Sequence, residues 1–227
     1  MELQVIAKIH NGFHEKFGIP RQSGLVPELE SVIVFEEPFR NPEALHGLSG
    51  YSHLWLIWQF SECADVPWRP TVRPPRLGGN KRMGVFATRS PYRPNHLGLS
   101  SVTLTGIEKT KDFGTVLRIS GADLMDGTPI FDIKPYIAYT DAHPHAVSGF
   151  AEDFVDYRLS VSCPEDILSI VKPEEQGVLL KILEQDPRPA YQNDEARIYN
   201  MDFSDYAVSF MVSGEELTVT DIKKVRR

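Results

Sequence analysis

His53-Leu54-Trp55-Leu56-Ile57-Trp58-Gln59-Phe60 sends Leu54, Leu56, Trp58 and Phe60 to one face of an extended chain and His53, Trp55, Ile57 and Gln59 to the other. Both sets are largely apolar, so the segment predicts a strand covered on two sides, in the centre of a sheet. Upstream, Gln4 to His10 and Glu30 to Phe35 carry apolar runs broken by Gly12, by Gly18-Ile19-Pro20-Arg21 and by Glu36-Glu37-Pro38, and read as two more strands. Asn41-Pro42-Glu43-Ala44-Leu45 places a cap residue before proline and predicts a short helix ending at Gly47. Downstream, Gly84 to Thr88, Ser100 to Ile107, Thr115 to Ser120 and Ile130 to Ile137 complete six or seven short strands. Arg69 to Asn80, with three prolines and two glycines, predicts an irregular exposed loop. With one short helix among these strands, the pattern points to a mostly β barrel or curled sheet rather than repeated βαβ units.

Composition changes near Tyr157, dividing the chain into 1–157 and a small α+β unit, 158–227. Pro164 to Leu168 predicts a short helix. Lys172 to Gln185 predicts a longer one, with Pro173, Glu174 and Glu175 in its first turn and an apolar stripe of Leu179, Ile182 and Leu183. Three alternating runs follow, 198–201, 206–212 and 217–220, with turns near Ser204 and Gly214.

The chain of 227 residues carries a formal charge of -7 and is 41% apolar, as expected of a soluble protein. No apolar run reaches membrane-spanning length, and Met1-Glu2-Leu3-Gln4 lacks the basic head of a secretory signal, so a cytoplasmic location and no membrane partner are expected. Cys63 and Cys163 form no CxxC pair, and His143 and His145 have no ligand array around them, so no metal is expected.

Against this acidic background, seven Arg and Lys residues run from Arg69 to Arg93 with no Asp or Glu among them. Arg69, Arg73, Arg76, Lys81, Arg82 and Arg89 therefore suggest a rim for a polyanion's phosphates, with a weaker contribution from the Lys223/Lys224/Arg226/Arg227 tail. Arg89-Ser90-Pro91-Tyr92-Arg93-Pro94-Asn95-His96-Leu97-Gly98-Leu99-Ser100 adds two guanidinium forks, restrained prolines and a glycine that lets backbone approach a ligand. The same residues also suit a turn shaped by proline, with its arginines in solvent. Asp126-Gly127-Thr128-Pro129 is an ordinary turn sequence, whereas Asp132 alternates with Phe131 and Ile133 and needs a polar pocket, a partner or solvent. A third stretch, Phe17-Gly18-Ile19-Pro20-Arg21-Gln22-Ser23-Gly24-Leu25, sets Arg and Gln between proline and glycine.

These stretches, with Gly50-Tyr51-Ser52-His53-Leu54-Trp55 and with Asp123-Leu124-Met125-Asp126-Gly127-Thr128-Pro129-Ile130-Phe131-Asp132-Ile133-Lys134-Pro135-Tyr136, resemble the TrmO-type, YaeB or TsaA-like, tRNA adenine-37 N6-methyltransferase family. The resemblance is strong over about residues 3–145 and continues more weakly through Asp186-Pro187-Arg188-Pro189-Ala190-Tyr191. It implies a TsaA-like β-barrel, non-Rossmann methyltransferase that uses S-adenosylmethionine on N6-threonylcarbamoyladenosine at tRNA position 37. It also implies a homodimer with cofactor sites near the subunit interface, and a C-terminal domain that helps hold the anticodon loop. No DNA partner is expected. On this basis Arg21, Gln22, Arg93, Asn95, His96 and Leu97 are expected at the cofactor, and Asp126 or Asp132 as base or orienter. From the residues alone, a noncatalytic RNA-binding barrel using Trp55 or Tyr92 as stacking platforms is the competing reading. A hydrolase built on His53 and His96 ranks below it, since no nucleophile is recognisable.

Overall fold

The computed structural model describes residues 2–188, 192 and 194–225. Pro189, Ala190 and Tyr191 of the last motif, and Arg226 and Arg227 of the basic tail, lie outside them. In chain order the first lobe contains β1 (Ala7–His10), β2 (Glu30–Phe35), β3 (His53–Gln59), β4 (Thr71–Val72), β5 (Met83–Gly84), β6 (Leu97–Thr110), β7 (Gly114–Ser120) and β8 (Pro129–Pro135), followed by a single helical turn, α1 (Ala138–Asp141). The fold is mainly β with a small helical region.

The alternation read in 53–60 is realised: Leu54, Leu56 and Trp58 point into the core while His53, Trp55, Ile57 and Gln59 face outward. Hydrogen bonds to β6 on one side and β8 on the other make β3 an interior strand. Six antiparallel strands follow the order β1-β2-β7-β6-β3-β8, and β1 pairs with both β2 and β8, through Ala7 with Phe35 and Ala7 with Ile130, so the ring is closed. Closure leaves no free edge and encloses Ile9, Ile33, Leu54, Leu56, Val102, Leu117, Ile119 and Ile130. A bulge between Ile57 and Trp58 skips Phe131, leaving Asp132 opposite Ile57 on the outer face.

Two local expectations change. Asn41 caps its turn by accepting from the Glu43 amide, but Pro42–Leu45 winds as a 3₁₀ helix, a form suited to so short a run. The proline-rich loop contains β4, paired with β5, and a 3₁₀ turn at Pro75–Leu77, and Val85–Ala87 is a 3₁₀ turn instead of a strand. Four or five residues without an alternating face cannot distinguish these forms from sequence.

The second lobe holds β9 (Ser160–Ser162), α2 (Glu165–Leu168), α3 (Pro173–Glu184), β10 (Tyr199–Phe203), β11 (Tyr206–Ser213) and β12 (Glu216–Lys224). Its sheet runs β10-β11-β12-β9, the last pair parallel. α3 buries the expected Leu179, Ile182 and Leu183 against that sheet. The loop between β1 and β2 joins this core: Phe13, Val26 and Leu29 are buried there, and Phe13 lies 5.7 Å from Phe203. Residues 11–29 thus cross from the barrel to the second lobe and back, carrying the Gly18–Leu25 stretch with them.

Candidate functional site

A cavity of about 530 Å³ opens at the barrel rim, between the crossing loop, the ends of β3 and β6, the 88–93 turn and the segment after β7. Its size lies within the roughly 300–1,000 Å³ of small-ligand sites.

One wall is a hydrogen-bonded chain. Trp58 Nε1–H donates to Ser100 Oγ at 2.9 Å, and because indole can only donate, the serine hydroxyl proton is directed elsewhere, to Asp123 Oδ1 at 2.5 Å. Trp58 and Gly98 are paired across the strands, and the glycine leaves space for the indole. Burial raises the Asp123 carboxyl above its ordinary range. The Ser100 hydrogen bond and, more weakly, backbone amides and the Arg89 charge act in the opposite direction.

The rim is basic. Arg93 lines the cavity, yet its Nη1 donates to the carbonyls of Val85 (3.2 Å) and Thr88 (2.6 Å), with the guanidinium over Phe86. Arg89 donates to Gln22 Oε1 at 2.5 Å, joining the 88–93 turn to the crossing loop. Arg21 reaches the second lobe, where Nη2 donates to the carbonyls of Asp186 (3.1 Å) and Arg188 (2.8 Å). Burial lowers the Arg21 pKa, offset in part by the Asp186 charge. Lys16 and Glu62 pair at 3.7 Å across the mouth.

Of the residues expected at a cofactor, Arg21, Gln22, Arg93 and Leu97 line this cavity. Asn95 is exposed outside the lining. His96 is buried in left-handed backbone with φ of 50°, and its Nδ1–H donates to the Pro91 carbonyl at 2.7 Å, so it shapes the turn. The two expected carboxylates are elsewhere. Asp126 sits beyond the wall, where it accepts from the Asn11 amide at 3.1 Å and pairs with His10 Nδ1 at 3.2 Å. Asp132 lies on the outer face of β8 and pairs with Lys134 at 2.8 Å. The bulge and the turn at Gly127 direct these two acids outward. Among the described lining residues the carboxylates are Glu62 and Asp123. Asp123 belongs to the motif quoted above, but alternation gives no sign of its burial, because it lies past the end of β7.

Of the cations expected at phosphates, Arg69, Arg73, Lys81 and Arg82 are exposed. Arg76 instead lies over the Phe154 and Tyr157 rings and donates to the Phe154 carbonyl at 3.2 Å, and Arg89 lines the cavity. Among the described residues no group of His, Cys, Asp and Glu is arranged to hold a metal ion, and no helix is long and apolar enough to cross a membrane.

Barrel, second lobe and arginine-edged cavity define a two-lobed, mainly β protein with a hollow of small-ligand size at the barrel rim. Residues 8–142 match the family model described as tRNA-methyltransferase O N-terminal domain, and residues 158–225 match the TrmO C-terminal domain. The chain belongs to the TrmO family. It is 39% identical over 220 residues to the tRNA (adenine(37)-N6)-methyltransferase of Escherichia coli (strain K12), covering 93% of each chain. It is 46% identical over 163 residues to the Eikenella corrodens protein of the same name, covering 71% of this chain and 91% of that one. The crystal structure of TrmO from Pseudomonas aeruginosa superposes with a TM-score of 0.78 at 33% identity, covering 99% of this chain and 97% of that one.

Proposed function

We propose that the chain transfers the methyl group of S-adenosylmethionine to N6 of adenosine at position 37 of tRNA, and that the acceptor already carries a threonylcarbamoyl group on that nitrogen. The observation that carries the reading is the cavity itself: a half-buried carboxylate, Asp123, faces an arginine-edged hollow of ligand size in a chain of this family.

The lining suits the methyl donor. When bound, S-adenosylmethionine supplies a methyl group activated by a cationic sulfur, so no metal is required. Arg21 and Arg93 offer positive charge to its carboxylate, Asp123 offers negative charge to its cationic part, and Ile19, Phe60, Leu97 and Leu99 give apolar walls. Of the three acids of the 123–136 motif, Asp123 is the one that lines the cavity, while Asp126 and Asp132, expected as base or orienter, lie outside its lining. A rigid wall from Trp58 through Ser100 to Asp123 fixes position, the main contribution a protein makes to a bimolecular transfer.

Two separate cores support a division into a catalytic part, 1–157, and an assisting part, 158–227, with residues 11–29 of the first part packed into the second core. Exposed Arg69, Arg73, Lys81 and Arg82 are placed to meet anticodon-loop phosphates. The outer face of β3 and β6 carries Trp55, Ile57 and the 56%-exposed Leu99 at the cavity's edge, where a second copy in a homodimer would cover it. Two free cysteines suit a cytoplasmic location.

The test is mass spectrometry of tRNA nucleosides after incubation with the purified protein and methyl-labelled S-adenosylmethionine, using tRNA with and without the threonylcarbamoyl group. Label on N6 of the modified adenosine alone supports the reading. RNA binding without transfer or donor affinity favours the noncatalytic barrel, and label on unmodified adenosine alone overturns the substrate assignment.

A further inference from the structure

The crossing loop is anchored from the far end of the chain. Arg21 forms a wall common to the main cavity and to a smaller hollow of about 320 Å³ that Lys16, Gln185 and Asp186 also line. A side chain shared by two hollows has room to leave either one, so its position depends on what holds it. Its described hydrogen bonds go to two carbonyls of the second lobe, those of Asp186 and Arg188.

Those carbonyls converge because of Asp186. Its backbone is left-handed, with φ of 53°, and its carboxylate accepts from Arg188 Nε at 3.0 Å and from the Tyr157 hydroxyl at 2.9 Å. Asp186 is 6% exposed and Arg188 8%. Arg21, Arg76 and Arg188 gather around this one carboxylate, and the Arg21 and Arg76 charges work against each other. Without the negative charge, the guanidinium groups repel one another in a poorly solvated space. Tyr157 lies where the two lobes join, so junction, second lobe and cavity wall meet at one side chain.

We infer that Asp186 is a positioning residue for the methyl-donor cavity, acting through Arg21, so that the second lobe sets the Pro20–Gln22 wall as well as assisting tRNA. The inference rests on the reading of that cavity as the donor site. Tyr157 acts in the same direction, one hydrogen bond further away.

The experiment uses the full-length chain with Asp186→Asn and Tyr157→Phe, each made alone and in an Arg21→Ala background. Asparagine tolerates left-handed backbone, and Tyr157→Phe removes a single hydroxyl, so both variants should fold, which thermal melting checks. Asp186→Asn should raise KM for S-adenosylmethionine about tenfold and Tyr157→Phe about threefold, with kcat at saturating donor and KM for tRNA within about twofold of wild type. In the Arg21→Ala background neither change should raise KM further, since residues acting through one partner are not additive. Full additivity there, or wild-type donor KM in both single variants, overturns the coupling. A wild-type chain without affinity for S-adenosylmethionine overturns the donor-site reading instead.

Discussion

Gly98 and Trp58 face each other across the β3–β6 pair, and a β-carbon on Gly98 would lie 2.2 Å from Trp58 Cε2 and 2.4 Å from Cζ2. The indole occupies the volume that any other residue would need. Its Nε1–H is thereby aimed at Ser100, and the Ser100 proton at Asp123.

Gly98→Ala should displace Trp58 and break this chain at its first link. Overpacking of this kind costs about 1–3 kcal/mol, which a denaturant melt will register. Affinity for S-adenosylmethionine should fall in parallel. A variant with unchanged stability and affinity would show that the wall yields freely.

Asp123 gives a pH signature. Its carboxyl is raised by burial, so the folded state holds the proton more tightly than the unfolded chain does. Its contribution to stability is present below the unfolded value and is lost as pH rises through the folded one. Asp123→Asn removes that loss. The melting temperature of the variant relative to wild type should therefore climb as pH rises above the ordinary carboxylate range of about 4. A difference that stays flat with pH contradicts the burial argument.

Arg93 is held by two carbonyls through one nitrogen and lies over Phe86. Arg93→Lys keeps the charge but loses the planar guanidinium that lies over Phe86 while its Nη1 bridges the Val85 and Thr88 carbonyls. Methyl transfer should drop by about tenfold in kcat/KM, with the chain still folded. Near wild-type turnover at limiting donor would assign Arg93 to charge alone.

Lys81 and Arg82 are exposed beside β5, without the ring contacts that engage Arg69 and Arg76. Replacing both with alanine should make the salt dependence of tRNA affinity shallower by roughly 1.5 in log K against log salt, if each meets a phosphate. An unchanged slope removes them from the RNA footprint.

Most of the strand framework was legible in the sequence because burial on alternate residues leaves a period of two, clearest in Leu54, Leu56 and Trp58. β9 was missed, because three residues paired in parallel with β12 carry no period of their own. In the site, Arg21, Gln22, Arg93 and Leu97, expected at the cofactor from the family resemblance, line the cavity, yet the partners of Arg21 lie 165 and 167 residues away, beyond any local signal. Asp126 and Asp132 attracted attention as acids in a motif. What separates them from Asp123 is which way the chain turns at Gly127 and at the bulge opposite Ile57, and only the folded backbone displays that. The entry of Phe13, Val26 and Leu29 into the second core was hidden for the same reason: a buried side chain does not reveal which core buries it.

The central claim is that the cavity walled by Asp123 holds the methyl donor. Its most direct test is calorimetric titration of S-adenosylmethionine into the tRNA-free chain and into Asp123→Ala, Asp126→Ala and Asp132→Ala. One site per chain is expected, weakened about tenfold or more in Asp123→Ala and changed by less than about twofold in the other two. Wild-type affinity in Asp123→Ala, with loss in Asp126→Ala or Asp132→Ala, would contradict it and move the donor to another surface.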